Sequence, residues 1–340
     1  MNDPDDLPLD AATRAAAIAG VLDAVAAHYV FPDAAKRMAE AVRARLAAGE
    51  YDGLTSTRAF CEALTAHLQA VCGDRHLRVV FDAEPRPPRG GEPAPEEREE
   101  ARRLGALRNY GFARVERLPG NVGYLDLRAF ASPEDAGETA VAAMALLAHT
   151  AALVVDLRQN GGGHPGTIAL LTTYLVGPEP VHLNDIHWRE GDRLQQWWTL
   201  PYVPGRRYGD KPVYVLTSGF TFSAAEEFAY NLKQLGRATL VGEVTRGGAH
   251  PGNRRFQITE HVVVGIPTAR SVNPLSGTNW EGVGVEPDIA VPRGDALRVA
   301  HAAALRAVLA RLGPDQSRPA RELAREARAA LAELEPGAPG

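Results

Sequence analysis

From residue 122 onward, short apolar runs alternate with longer segments whose apolar positions recur at helical spacing. Val122–Leu127, Ala152–Leu157, Val213–Thr217, Thr239–Gly242, His261–Ile266 and Ile289–Val291 predict strands. Ala136–Ala148, Thr167–Val176 and Ala224–Leu235 predict the helices between them. That rhythm predicts an α/β fold with a mostly parallel sheet and helices packed on its faces. Leu297–Leu312 and Pro319–Glu335 read as Ala-, Arg- and Leu-rich helices, and Gly337–Gly340 as a frayed end.

Before residue 73 the pattern is helical throughout. Ala11–Val30 carries apolar residues at helical spacing, and Pro32 suits the first turn of a helix over Ala34–Ala48. Asp52-Gly53 makes a turn, Ser56 or Thr57 can cap Ala59–Val71, and Leu77–Phe81 predicts a short strand. Glu84–Arg103 has seven prolines and glycines followed by an acidic run, and reads as a linker or the start of a solvated helix. The expected organisation is a helical N-terminal subdomain over 1–82, a linker over 83–117 and an α/β core over 118–300. C-terminal helices and tail would fill 301–340. No internal repeat is evident.

Composition excludes more than it suggests. At 340 residues, 45% hydrophobic and 23% charged, the chain is an ordinary globular one. A net charge of −5 argues against a non-specific nucleic-acid binder, whose affinity needs a cationic face. The longest apolar stretch, Ala140–Val155, is interrupted by His149 and Thr150, and falls short of the roughly 20 residues that span a bilayer. Met1–Asp10 is acidic and lacks the regions of a signal peptide, so a cytoplasmic location is expected. Cys61 and Cys72 are then expected to stay reduced, and on one helix they would lie about 16 Å apart.

Two segments carry candidate chemistry. In Asp156-Leu157-Arg158-Gln159-Asn160-Gly161-Gly162-Gly163-His164-Pro165-Gly166, a strand precedes a glycine loop and a helix follows. Gly161, Gly163 and Gly166 fit the dinucleotide spacing, with Asp185 placed as a ribose-binding acid. The same loop could instead aim backbone N–H groups at a developing oxyanion, or simply turn the chain. In Thr217-Ser218-Gly219-Phe220-Thr221-Phe222-Ser223-Ala224-Ala225-Glu226, Ser223 sits where a helix begins, and there it suits a nucleophile. It equally suits an N-cap. The segment is not a G-x-S-x-G elbow.

A serine nucleophile needs a base. The chain has only Lys36, Lys211 and Lys233, the last about 15 Å past Ser223 along one helix. Among ten histidines, His76 lies where the helical region meets its strand, and His250 lies in a glycine loop after a strand. Both stay open as the base on this reading. No zinc-ligand spacing is present, and His182 and His187, five apart, are not expected to bind metal.

With these segments in view, the chain resembles the tail-specific (C-terminal-processing) serine protease superfamily. Val122-Gly-Tyr-Leu-Asp-Leu, Asp156-Leu-Arg-Gln-Asn-Gly-Gly-Gly, Thr221-Phe-Ser-Ala-Ala-Glu, Val241-Gly-Glu-Val-Thr-Arg-Gly-Gly and Val283-Gly-Val-Glu-Pro-Asp follow that family's order. His76 and the helical start resemble the branch containing interphotoreceptor retinoid-binding protein and its bacterial relatives. The resemblance implies a crotonase-like core and puts Ser223 at the nucleophile position. The processing proteases' lysine slot falls near Gly247-Gly248, where no lysine exists, so their serine–lysine dyad is not expected. The tricorn-core branch uses serine, histidine and glutamate, which correspond here to Ser223, His76 and Glu281. Gly161, Gly162 and Ala224 would supply the oxyanion N–H groups. The Glu84–Arg103 stretch is too short for the PDZ domain that the processing proteases usually insert.

What the resemblance implies is a serine hydrolase acting on short peptides or a peptide-like metabolite, with no cofactor and no metal. His250, Phe220 and Phe222 are candidates for the substrate pocket. Asp156, Arg158, Glu226 and Glu243 match the family pattern and read as buried pairs or helix-start acids. A rival class is a non-catalytic binder of a retinoid or fatty acid, with Phe220, Phe222, Trp188, Trp197 and Trp198 lining an apolar pocket. A third is a relative repurposed to form or rearrange an amide. No nucleic-acid partner and no membrane span are expected.

Overall fold

A computed structural model of the chain describes residues 6–88, 94–252 and 254–335. In chain order these form α1 (Ala11–His28), α2 (Pro32–Ala47), α3 (Thr57–Cys72), β1 (Arg78–Phe81), α4 (Pro95–Leu107), β2 (Phe112–Leu118) and β3 (Val122–Leu127). There follow α5 (Pro133–Leu147), β4 (Ala152–Asp156), α6 (Pro165–Leu175), β5 (His182–Trp188), β6 (Arg193–Trp198), β7 (Val213–Thr217) and α7 (Ala224–Gln234). The last are β8 (Thr239–Gly242), β9 (Arg254–Thr259), β10 (Val262–Ile266), β11 (Ala269–Val272), β12 (Ile289–Ala290), α8 (Ala296–Leu312) and α9 (Arg318–Leu334).

The chain divides into two compact units. The first takes Met1–Arg98, Asp185–Gln195 and Gly248–Val272. Asp10 and Ser56 accept the Thr13 and Ala59 N–H groups at the starts of α1 and α3, and Gly73, left-handed at φ +71°, ends α3. The apolar faces of these helices, including Val21, Val25, Phe60, Leu64 and Leu68, bury Val262, Val264 and Ile266 of the antiparallel sheet β1-β10-β9. The edge strand β1 is blocked, because the Thr65 hydroxyl both accepts from the Val79 N–H and donates to its C=O. This unit therefore extends beyond the helical 1–82 subdomain expected: residues 185–195 and 248–272 join it, and Phe256, Val262, Val264 and Ile266 complete its core.

The second unit takes Glu99–Asn184, Gln196–Gly247 and Asn273–Gly340. Its six-stranded sheet runs β12-β8-β7-β4-β3-β2, parallel except for β2. Tyr124, Val154, Leu216 and Val241 bury one face against Ala300, Ala304 and Leu305 of α8 and Ala327 and Ala330 of α9. Leu125, Val155, Val215 and Leu240 alternate with them and cover the other face, where α5 packs on β2 and β3, and α7 on β8. The α/β expectation therefore holds, with two corrections. The sheet begins at Phe112, inside the stretch expected as linker, and the C-terminal helices set apart from the core after 300 are α8 and α9, which pack into it from Ala296 onward. The stretch Glu84–Arg103 does contain a solvated helix start, since α4 has no buried residue, although its residues 89–93 lie outside the described residues, as does Gly337–Gly340.

Strands β3, β4, β7, β8 and β12 step across the sheet in one direction. The sheet thus has no point at which strand order reverses, the place where dinucleotides bind in doubly wound folds. Asp185 pairs with Val272 in a different sheet. The dinucleotide reading of the glycine loop falls on both counts. Among the described residues, no helix is long and apolar enough to cross a membrane.

Candidate active site

In the second unit, β4 ends at Asp156, whose carboxylate takes the Arg158 guanidinium (2.9 and 2.6 Å) and the Tyr124 hydroxyl (2.7 Å). The glycine loop that follows is organised by Asn160, which is fully buried. Its amide donates to the Leu127 C=O (2.9 Å), its Oδ1 accepts the Gly162 N–H (2.8 Å), and its C=O accepts the Phe222 N–H (3.1 Å). Gly162, at φ +111°, lies so close to the serine that a Cβ there would come within 2.8 Å of the Ser223 Cβ. Only glycine fits this approach.

Ser223 itself is at φ +56°, ψ −123°. An ordinary cap residue is extended, so capping alone does not account for this conformation; holding it costs on the order of 1–3 kcal/mol. The turn is held by Glu226, whose Oε2 accepts the Ser223 N–H (2.8 Å) while Oε1 accepts the Thr245 hydroxyl and the Gly247 N–H (both 2.6 Å). Thr245 Oγ1 in turn accepts the Val285 N–H (2.7 Å), and the Gly247 C=O accepts the Gly282 N–H (3.3 Å). One carboxylate thereby ties the serine turn to the loop that carries Glu281. Glu281 is half-buried beside the buried Trp280, and its N–H donates to Asn279 Oδ1 (2.9 Å). Glu243 accepts the Gly219 and Arg293 N–H groups, which hold its carboxyl below the usual range.

Of the three oxyanion donors expected, Gly162 is removed, because Asn160 takes its N–H. The Ala224 N–H opens α7, where the helix dipole favours negative charge, and Gly161 begins the glycine run. Immediately after Glu226, the buried Glu227 has Oε1 without a partner among the described residues. Burial pushes its carboxyl up to about 8, against a smaller opposing hydrogen bond from Asn184.

In the first unit, His76 sits in the turn between α3 and β1, buried, with its N–H on Asp74 Oδ1 (2.9 Å). Asp74 is fully buried, and its Oδ2 accepts the Tyr29 hydroxyl (3.1 Å) and meets His250 Nδ1 (2.8 Å). His250, expected in a substrate pocket, does line a cavity of about 380 Å³ with Tyr29, Phe31, Val71 and Cys72, but its ring is pinned between Asp74 and Phe31 (5.1 Å, edge-on). Cys61 and Cys72 both lie on α3 as free thiols, and burial pushes Cys61 up to about 12.

Three aromatic residues of the rival reading have close partners within their own unit. Arg193 covers Trp188, His182 stacks on Trp198 (4.3 Å), and Arg246 covers Phe222. Phe220 is 51% exposed beside Gly161. Ser223, Gly161, Gly162, Ala224, Phe222 and the Glu281 loop thus belong to the second unit, and His76 and His250 to the first. Sequence reasoning missed Asn160, Thr245 and Asp74 as organisers. An Asn opening a glycine run and an Asp two residues before a candidate base were the available signals.

Residues 121–291, half of the chain, match peptidase family S41. The chain belongs to peptidase family S41. Residues 11–107 match the N-terminal domain of peptidase S41 in eukaryotic IRBP. Tricorn protease of Thermoplasma volcanium is 27% identical over 139 residues, 41% of this chain and 12% of that protein, so this S41 chain corresponds to a small part of its curated relative. Among solved structures, a lipoprotein from Streptococcus agalactiae superposes with a TM-score of 0.55 at 14% identity, covering 86% of this chain and 96% of the other. The tricorn protease crystal structure gives a TM-score of 0.52 at 15% identity, covering 95% of this chain and 37% of that one. At these identities the likeness is one of fold, while S41 membership supports a serine peptidase.

Proposed function

We propose that this chain is a serine peptidase that cleaves short peptides or a peptide-like metabolite, with Ser223 as nucleophile, His76 as base and Glu281 as the acid that steadies the imidazolium. The observation that carries the reading is the strained backbone of Ser223 at the start of α7, pressed against Gly162. Ser223 Oγ attacks the scissile carbonyl carbon, and its proton passes to His76. The N–H groups of Ala224 and Gly161 receive the oxyanion. Collapse of the intermediate breaks the C–N bond, and His76 returns the proton to the departing amine. Water then attacks the acyl ester by the same route and frees Ser223.

A histidine base is favoured because every lysine is engaged elsewhere. Lys36 pairs with Asp33, Lys211 donates to the Ala148 and Thr150 carbonyls, and Lys233 holds Glu286 O and Asp288. The test is labelling by a fluorophosphonate probe followed by peptide mass spectrometry. Modification at Ser223 is expected, falling by at least about 100-fold in His76→Ala. Label carried by another residue, or folded protein that takes none, sinks the assignment.

A further inference from the structure

Asp74, His250 and Tyr29 form a buried polar group within the first unit that the chemistry above does not use. We infer that Asp74 is a positioning residue for His76, and that His250 and Tyr29 act on His76 only through Asp74. The inference rests on the reading of His76 as base.

The geometry is specific. Asp74 accepts three donors: the His76 backbone N–H on Oδ1, and the Tyr29 hydroxyl and His250 Nδ1 on Oδ2. An ionised carboxylate only accepts, so His250 must carry its proton on Nδ1 in this contact. Tyr29 is kept as a donor, because burial and the Asp74 charge push its phenol well above the usual range. His76 Nδ1 stands 4.0 Å from Asp74 Oδ1, too far for a hydrogen bond but close enough for the charge to orient the ring. Phe31 closes on the far side of His250, edge-on at 5.1 Å and itself 6.0 Å from the Tyr29 ring. The carboxylate therefore has no freedom to swing, and neither has the turn that presents His76. In a cavity lined by His250 a substrate-contacting role is the competing explanation, and the two predict different kinetics.

The decisive pair is His250→Asn, which keeps an N–H at the Nδ1 position, against His250→Gln, which moves it to the Nε2 position. Both are measured as full-length protein for fluorophosphonate inactivation of Ser223 and for histidine NMR with 15N-labelled histidine. Expected for His250→Gln is a fall in the maximal inactivation rate of about 100-fold, with half-saturation unchanged within about twofold. His250→Asn should recover most of that loss, and the His76 ring signals should move in the Gln variant but not in the Asn variant. If His250→Gln does not fold, Tyr29→Phe supplies the same test, with about a tenfold fall in rate.

A weakened half-saturation at unchanged maximal rate would make His250 a substrate-pocket residue and overturn the inference. Equal disturbance of the His76 signals by Asn and Gln, or by neither, would also overturn it. Wild-type protein that is not labelled at Ser223 counts against the peptidase reading, and the NMR comparison then decides the positioning role alone.

Discussion

Around Ser223 the geometry is built from backbone. Gly162 presses on the serine, and the main-chain N–H groups of Ser223, Gly247 and Val285 are gathered by the Glu226 carboxylate and the Thr245 hydroxyl. Around His76 it is built from side chains: one carboxylate, one phenol and a second imidazole. A backbone site of this kind fails where a Cβ intrudes, or where one of the few side chains that gather its N–H groups is lost. A side-chain site survives small changes of shape but fails when one donor is moved. The two buried carboxylates of α7 make the contrast within the second unit, since Glu226 is satisfied by three donors and its neighbour Glu227 has an oxygen left over.

The sharpest way to break this contrast is Gly162→Ala. Its added methyl meets Ser223 Cβ at 2.8 Å and the Phe222 carbonyl at 3.0 Å, at a φ of +111°. A stability loss of about 4 kcal/mol is expected, together with loss of Ser223 labelling, by denaturant titration and probe mass spectrometry. Unchanged labelling would mean that the loop relaxes freely and that the backbone does not set the serine.

Glu227→Gln comes next. Its carboxyl titrates at about 8 in the folded protein against an ordinary value of 4.5, so the folded state keeps a proton that the unfolded chain gives up. Stability therefore falls as pH rises from about 4.5 to about 8, and levels off above. The glutamine variant should match wild type near pH 4.5 and exceed it by roughly 4 kcal/mol at pH 8. Parallel stability curves across that range would show that Glu227 finds its missing partner.

Ser223→Gly should have the smallest effect on stability. It relieves the positive φ of a non-glycine residue and should raise stability by about 1 kcal/mol while abolishing labelling. A destabilised variant would mean that the hydroxyl caps α7 after all.

Legibility followed burial. Strands β3, β7 and β8 are buried on both faces and read as apolar runs with the bounds observed. β2, β5, β6, β9 and β11 escaped notice because polar residues interrupt them: His182-Leu183-Asn184-Asp185 has no clean alternation. Ser223 and the glycine loop were legible because strand, turn and helix are local. The loss of Gly162 as a donor was not, since nothing in Asn160-Gly161-Gly162 tells which group the amide takes. The partner of His250 lies 176 residues away at Asp74, beyond any local pattern.

The composition of the first unit has a consequence for how the chain is made. Phe81 of β1 pairs with Val262 of β10, about 180 residues further on. At ribosomal rates of about 5–20 residues per second, α1 and α3 wait roughly 10–40 s for the strands that cover them. Their apolar faces thus emerge well before the strands that bury them.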